Sequence, residues 1–410
     1  MPRSTPFHPR TSALAARSFA WKEWAGYIAA CNFDRHSERE YFAIRRTAGL
    51  LDVTPLYKLE VTGPDAGLFL STIWTRNIAK MSVGQVVYSC MCDEHGWALD
   101  DGTVTRLTKT HYRVTSSESW LRWFHRHARG FDVAIQDSTD RICALALQGP
   151  LSRDILRDVV AMQIDRLRFF RSRPTTLAGN DVLVTRTGYT GDLGFEIWMD
   201  NDAALPVYDA LMEAGKTYGM EPIGLDALDV SRIEAGFVLQ GVDYISAHSC
   251  LIEGRKSTPS DAGLGWTVDL DDRPPFIGQA ALLKERERGP KWDLVGLEVD
   301  WAELADLYAS YNLPPHLAPI ACRDAVPVYT ASGRNQVGQV TSTTWSPTLK
   351  KLLCLAQIRT PHAAMGAKLQ VEHTVEFERR TVTATIVPKP FFDPERKKFT
   401  PGAKAKKEAS

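Results

Sequence analysis

Long apolar runs are missing from this chain. No segment approaches the roughly 20 apolar residues that a bilayer-spanning helix needs, so the sequence does not read as an integral membrane protein. Net charge is missing too. Lys and Arg (49) balance Asp and Glu (49), which leaves no global basic field of the kind that drives sequence-independent nucleic-acid binding. Cysteine is sparse: seven are scattered at 31, 90, 92, 143, 250, 322 and 354. An odd count in a long chain does not make a secreted disulfide framework. Cys90 and Cys92 form C-x-C with no second half, so no metal site is expected, and the thiols read as reduced, structural and cytosolic. There is no Gly-Lys-Ser/Thr loop and no G-x-G-x-x-G, which removes the familiar phosphate-cradling motifs.

What is present is ordinary globular material. The chain has 410 residues, 44% hydrophobic and 24% charged, enough for two or three domains with sizeable cores. Arg3, Arg10 and Arg17 precede the first acid, Glu23, in the manner of a mitochondrial transit peptide. Pro2, Pro6 and Pro9 interrupt an amphipathic helix there. The segment 1–38 is therefore expected to be an ordered arm and the protein cytoplasmic, with the mitochondrial matrix as the alternative.

No repeat with a period of 20–50 residues is visible. Residues 39–49 have helical spacing, Tyr57–Val61 alternate up to Gly63-Pro64, and Asp65 is placed to cap a helix through Phe69 and Leu70. Strand-like runs occupy 86–92, 112–116 and 142–147, the last ended by Gly149-Pro150. Helices are expected over 151–160, 203–218 and 226–235. After residue 290, short alternating runs at 294–299, 326–330, 337–341, 352–358, 368–376 and 381–387 suggest a small barrel or sandwich. The stretch 313–319 is a Pro-rich connector. The expected division is 1–38, 39–140, 141–290, 291–392 and a basic tail over 393–410, disordered from Arg396 on.

Three stretches carry chemistry. Asp100 and Asp101 follow a turn at Gly96. Adjacent side chains on a strand point to opposite faces, so one carboxylate can face a cavity while the other caps backbone; which does which is open. In Thr187–Glu196 three glycines permit a hairpin or close approach of a ligand, and Glu196 stands in an otherwise apolar strand, where a buried carboxylate needs donors. Arg232, in Arg232-Ile233-Glu234-Ala235-Gly236, either complements a helix C-terminus or forks onto a ligand carboxylate. Tyr244 is a candidate proton donor or a packing residue.

In order and spacing these stretches resemble the glycine cleavage T-protein (aminomethyltransferase) superfamily. The landmarks are Ala43–Thr54, Leu99-Asp100-Asp101, Leu147-Gln148-Gly149-Pro150, Thr187–Gly191, Gly194–Ile197, Arg232–Gly236, Gly265-Trp266-Thr267, Phe276-Ile277-Gly278 and Ser346–Leu349. The resemblance spans about residues 40–390. It implies an α+β, three-domain cloverleaf around a central folate channel, closed by a small C-terminal β-barrel, with tetrahydrofolate as the one-carbon acceptor. By match to the family motifs it implies Asp100 as the carboxylate beside the reacting pterin nitrogens. It places Glu196 on the pterin's N–H groups, Tyr88 and Tyr189 as its aromatic lining, and Arg232 and Trp266 near the ligand.

Departures from the T-protein pattern are Val53-Thr54-Pro55-Leu56-Tyr57 for Val-Ser-His-Met, Leu228 for an arginine, and Gly241-Val242-Asp243-Tyr244 for Gly-Gln-Glu-Met. They point to the folate-dependent demethylase branch, with Tyr244 as proton donor. The expected partner is a small-molecule methyl donor; a lipoyl carrier protein belongs only to the aminomethyltransferase alternative. A folate-binding protein without turnover is the third possibility.

Overall fold

In the computed structural model, residues 2–15 and 18–402 are described. Three sheets organise them. The first has five strands in the order Val86–Cys92, Ala98–Arg106, His111–Ser116, Tyr57–Thr62, Ala134–Asp137. Every pairing in it is antiparallel. Its core is Leu59, Val61, Val104 and Val114 against the helix Ala66–Ile73. Asp65 precedes that helix but does not cap it. Its carboxylate accepts the N–H of Asp132 at 2.9 Å instead, tying the turn to a neighbouring loop.

The second sheet has six strands, ordered Ser172–Leu177, Asn180–Thr185, Gly194–Asp200, Ile142–Gln148, Gly49–Asp52, Glu221–Pro222. Ile142–Gln148 is buried along its whole length, as its unbroken apolar run requires. Gly49–Asp52 comes from early in the chain, so this sheet is not contiguous in sequence. The arm also belongs to it. Phe7 is fully buried in the same core, and Arg3 and Arg10 pair with Asp140 and Asp209. The helix His8–Leu14 carries Pro9 in its first turn, where the missing N–H costs nothing.

The two sheets share a motif whose repeat is longer than 20–50 residues. Gly63-Pro64, helix Ala66–Ile73, the turn Ile78–Lys80 and strand Val86–Cys92 are matched by Gly149-Pro150, Ser152–Val159, Ile164–Arg166 and Ser172–Leu177. Gly63 and Gly149 have φ of 130° and 129°. A Cβ at Gly63 would lie 2.2 Å from the Asp132 carbonyl, and one at Gly149 2.7 Å from that of Thr47, so both turns require glycine. The motifs meet at an antiparallel bridge, Gln85 with Arg171.

The alternating runs after 290 close into a barrel of six strands: Trp292–Val299, Lys351–Arg359, Gln336–Ser346, Val326–Tyr329, Lys368–Val375, Glu378–Val387. Closure leaves no free edge. A helix the sequence did not suggest, Trp301–Ala309, is capped by Asp300, whose side chain accepts from Glu303 N at 3.1 Å. The expectation of a disordered tail from 396 is corrected. Arg396 is held by Asp192 at 2.7 Å, and buried Arg186 donates to the carbonyls of Lys397 and Phe399. Residues 403–410, the remainder of that expectation, lie outside the described residues.

Candidate active site

Asp100 and Asp101 sit on Ala98–Arg106 and take opposite faces. Asp100 turns into the protein and is fully buried. Its Oδ1 accepts from Asp101 N at 2.8 Å and Ser117 Oγ at 2.6 Å. Its Oδ2 accepts from Ser117 N and Glu118 N, both at 3.1 Å, and from Trp120 Nε1 at 2.7 Å. Five donors fill the carboxylate and leave no side open to a ligand. The geometry therefore moves the expected role away from Asp100, which pins the 116–120 turn to the strand. Burial, with the charge of Asp101 added, pushes its pKa up to about 7.

Asp101 faces the other way and is half-buried. Its Oδ2 accepts from the Tyr88 hydroxyl at 2.7 Å and its Oδ1 from the Tyr244 hydroxyl. Tyr88 shares its face because Cys90, two residues on, lies opposite Asp101 in the ladder. Burial raises the pKa of Asp101 while the two tyrosines pull it down. Burial and the Asp101 charge hold both phenols well above their usual value. Both tyrosines thus remain protonated donors.

Aromatic rings extend from this point. Tyr88 stacks on Trp266 with centroids 5.8 Å apart and planes at 27°. Trp266 is 64% exposed, on the short turn Gly265–Thr267, with the Arg76 guanidinium 5.6 Å from its ring. Tyr189 stacks on Phe237 at 5.6 Å and 27°, and its hydroxyl is held by the Val238 carbonyl.

Glu196 stands on the strand Gly194–Asp200, seven residues after Tyr189, and among the described residues shares no hydrogen bond with Asp101. Its Oε2 accepts from Thr187 Oγ1 at 2.8 Å and Thr185 Oγ1 at 3.4 Å. Among the described residues its Oε1 receives no donor. Burial raises its pKa, against the pull of the donors Thr187, Thr185 and Trp198. The glycines nearby serve the protein first. A Cβ on Gly188 would lie 2.0 Å from Gln148 Oε1, and one on Gly194 2.2 Å from it. Gln148 in turn accepts from Thr190 and donates to the carbonyls of Thr187 and Phe195.

Arg232 is corrected in role. It is buried and filled: Nε donates to Asp229 at 2.7 Å, Nη1 to Asp243 and to the Phe237 carbonyl, and Nη2 to Ser342 Oγ at 2.8 Å. Burial opposes its charge, but Asp243 and Asp229 outweigh that and hold its pKa above the ordinary value. No fork remains for a ligand. Arg232 instead fixes the segment 237–244, which carries Phe237 and Tyr244. Asp243, adjacent to Tyr244 and unassigned from the sequence, completes the lock by accepting from Leu239 N, Thr341 and Ser342.

Residues 7–272 match the GCVT N-terminal domain model and residues 313–393 the glycine cleavage T-protein C-terminal barrel domain model. The chain belongs to the glycine cleavage T-protein family. Within the family, it is similar to a trimethylamine-oxide aldolase of Ruegeria pomeroyi, at 34% identity over 97% of this chain and 48% of that one. The chain thus spans about half the length of that relative. An aminomethyltransferase of Bacillus pumilus is 33% identical, over 96% of this chain and 99% of its own. The crystal structure of glycine cleavage system aminomethyltransferase T from Bartonella henselae superposes with a TM-score of 0.80 over 96% of this chain and 99% of that one, at 24% identity. That likeness gives the T-protein fold, barrel included.

Proposed function

We propose that this T-protein family enzyme moves a methyl group from a small O-, N- or S-methyl donor to N5 of tetrahydrofolate. The observation that carries this reading is the Asp101 carboxylate held by two phenols, Tyr88 and Tyr244, beside stacked rings. The residues fit a reduced pterin. Tyr88 with Trp266 and Tyr189 with Phe237 offer faces for a flat heterocycle. The unpartnered Oε1 of Glu196 suits adjacent N–H groups, in a charge-assisted pair. When bound, tetrahydrofolate supplies the nucleophilic nitrogen, and the protein's task is placement and charge.

Asp101 holds the positive charge that builds beside it and accepts a proton at a carboxylate oxygen. Tyr244 gives its phenolic proton to the departing heteroatom and is reprotonated along its hydrogen bond to Asp101. Arg232 and Asp243 keep Tyr244 in line.

The alternative is the aminomethyltransferase reaction of glycine cleavage, with a lipoyl carrier protein. The full-length likeness to the Bacillus pumilus aminomethyltransferase favours it; Tyr244 at a position where T-proteins carry methionine favours methyl transfer. A non-catalytic folate-binding role leaves the carboxylate–tyrosine cluster without a purpose. The deciding experiment is product analysis with tetrahydrofolate and a panel of methyl donors. 5-Methyltetrahydrofolate is the expected product. Turnover only with aminomethyl-loaded carrier protein would replace this reading with the alternative.

A further inference from the structure

Tyr244 forms part of the lining of a cavity that does not include Asp101. Its volume is about 480 Å³, and it lies between the segments 241–245 and 254–257 and the barrel. That size suits a small molecule. Its wall is strongly one-signed. Arg255, Lys256, Arg323 and Arg359 face it against a single acid, Asp243. Asp243 is no counter-ion for them, because Arg232, Thr341, Ser342 and Leu239 N already fill its oxygens. Arg323 is paired with Asp229 at 2.7 Å. Arg255, Lys256 and Arg359 form no ion pair among the described residues. Arg359 is steadied over the Trp292 ring, 5.0 Å from its centroid, so its position is set without a carboxylate. Uncompensated cations around one concave surface repel each other, and an anion placed between them relieves the repulsion.

We propose that this cavity binds a small ligand bearing carboxylates, seated between Lys256 and Arg359 and abutting Tyr244. Two sources have this chemistry: a glutamyl chain attached to the folate, and the one-carbon donor itself. The donor source rests on the methyl-transfer reading above; the anion site does not.

Isothermal titration of the full chain separates these. The probes are glutarate, monoglutamyl tetrahydrofolate and pentaglutamyl tetrahydrofolate, each on wild type and on the Lys256→Gln/Arg359→Gln double variant. Among the described residues both side chains are free of hydrogen bonds to the protein, so the variant should melt like wild type. Glutarate should bind wild type and weaken about tenfold or more in the variant, as loss of charged contacts implies. If the pentaglutamate binds wild type more tightly than the monoglutamate and loses that advantage in the variant, the glutamyl chain is the source. If the two folates bind equally while glutarate still weakens, the donor is the source. Glutarate that fails to bind wild type, or binds both proteins equally, overturns the site. Monoglutamyl tetrahydrofolate should bind both proteins alike. Its failure to bind wild type would sink the folate reading and leave the glutarate result standing.

Discussion

The two adjacent aspartates should fail in different ways. In Asp101→Asn the side chain keeps its shape but loses the charge and one acceptor for the Tyr88 and Tyr244 hydroxyls. A positioned proton acceptor contributes about 10²–10⁴ in rate, so kcat should fall by about that factor, while the melting temperature drops less than in Asp100→Asn because a phenol oxygen can turn to accept from the new amide. Asp100→Asn does the reverse. Its amide nitrogen must replace one of two oxygens that together accept five hydrogen bonds. The milder placement, at Oδ1, still strands the N–H of Asp101. A buried donor left unpaired costs about 1–3 kcal/mol, or several degrees of melting temperature for one domain. The assay pairs initial rates of tetrahydrofolate methylation with thermal melts of the same preparations. Acidity gives a third signal. Burial raises the Asp101 pKa, so its proton is kept to higher pH and the charged form grows as pH rises. The acid limb of kcat/KM should therefore lie above the ordinary aspartate value near about 3.9 and be absent from Asp101→Asn. Near-wild-type turnover in Asp101→Asn, or an Asp100→Asn protein that melts normally but turns over slowly, would refute the assignment.

Glu196→Gln should keep the fold and weaken tetrahydrofolate binding by about tenfold or more, the worth of a charge-assisted hydrogen bond; an unchanged Kd by titration would remove Glu196 from the site. Arg232→Met strips the partner from Asp243 in the interior and should destabilise the chain by about 3–5 kcal/mol, read in a melt; a protein as stable as wild type would contradict its structural role. Gly188→Ala forces a methyl against Gln148 and should cost about 1–3 kcal/mol, with the melting temperature as the check and an unchanged value as the contrary result.

Legibility in the sequence followed the range of the interactions. The barrel strands were readable because alternation is local: each of the runs after 290 needs only its own pattern to separate a buried face from an open one. The Asp100–Asp101 pair was half-readable. A period of two says that the residues part company, but which face is the interior depends on Ser117 and Trp120 arriving from the far side of a hairpin. Arg232 was left open for the same reason. The helix position left it between dipole complement and ligand fork, and its actual partners, Asp243 and Ser342, come from a later loop and from the barrel. Asp65 stood where a cap should stand, yet a loop more than sixty residues on claims its carboxylate. The arm's Phe7 and the Arg396 clasp show the same limit, since nothing near either residue names the core it joins.

The duplicated strand, Gly-Pro turn and helix, abutting at Gln85 and Arg171, has the layout of a homodimer fused into one polypeptide. Perfect twofold symmetry would oblige both halves to offer the same groups to whatever lies between them. This molecule does not: one half brings an aspartate caught between phenols, the other a glutamate with an idle oxygen. A single polypeptide places no such demand on its halves, so an asymmetric ligand can be met by asymmetric chemistry.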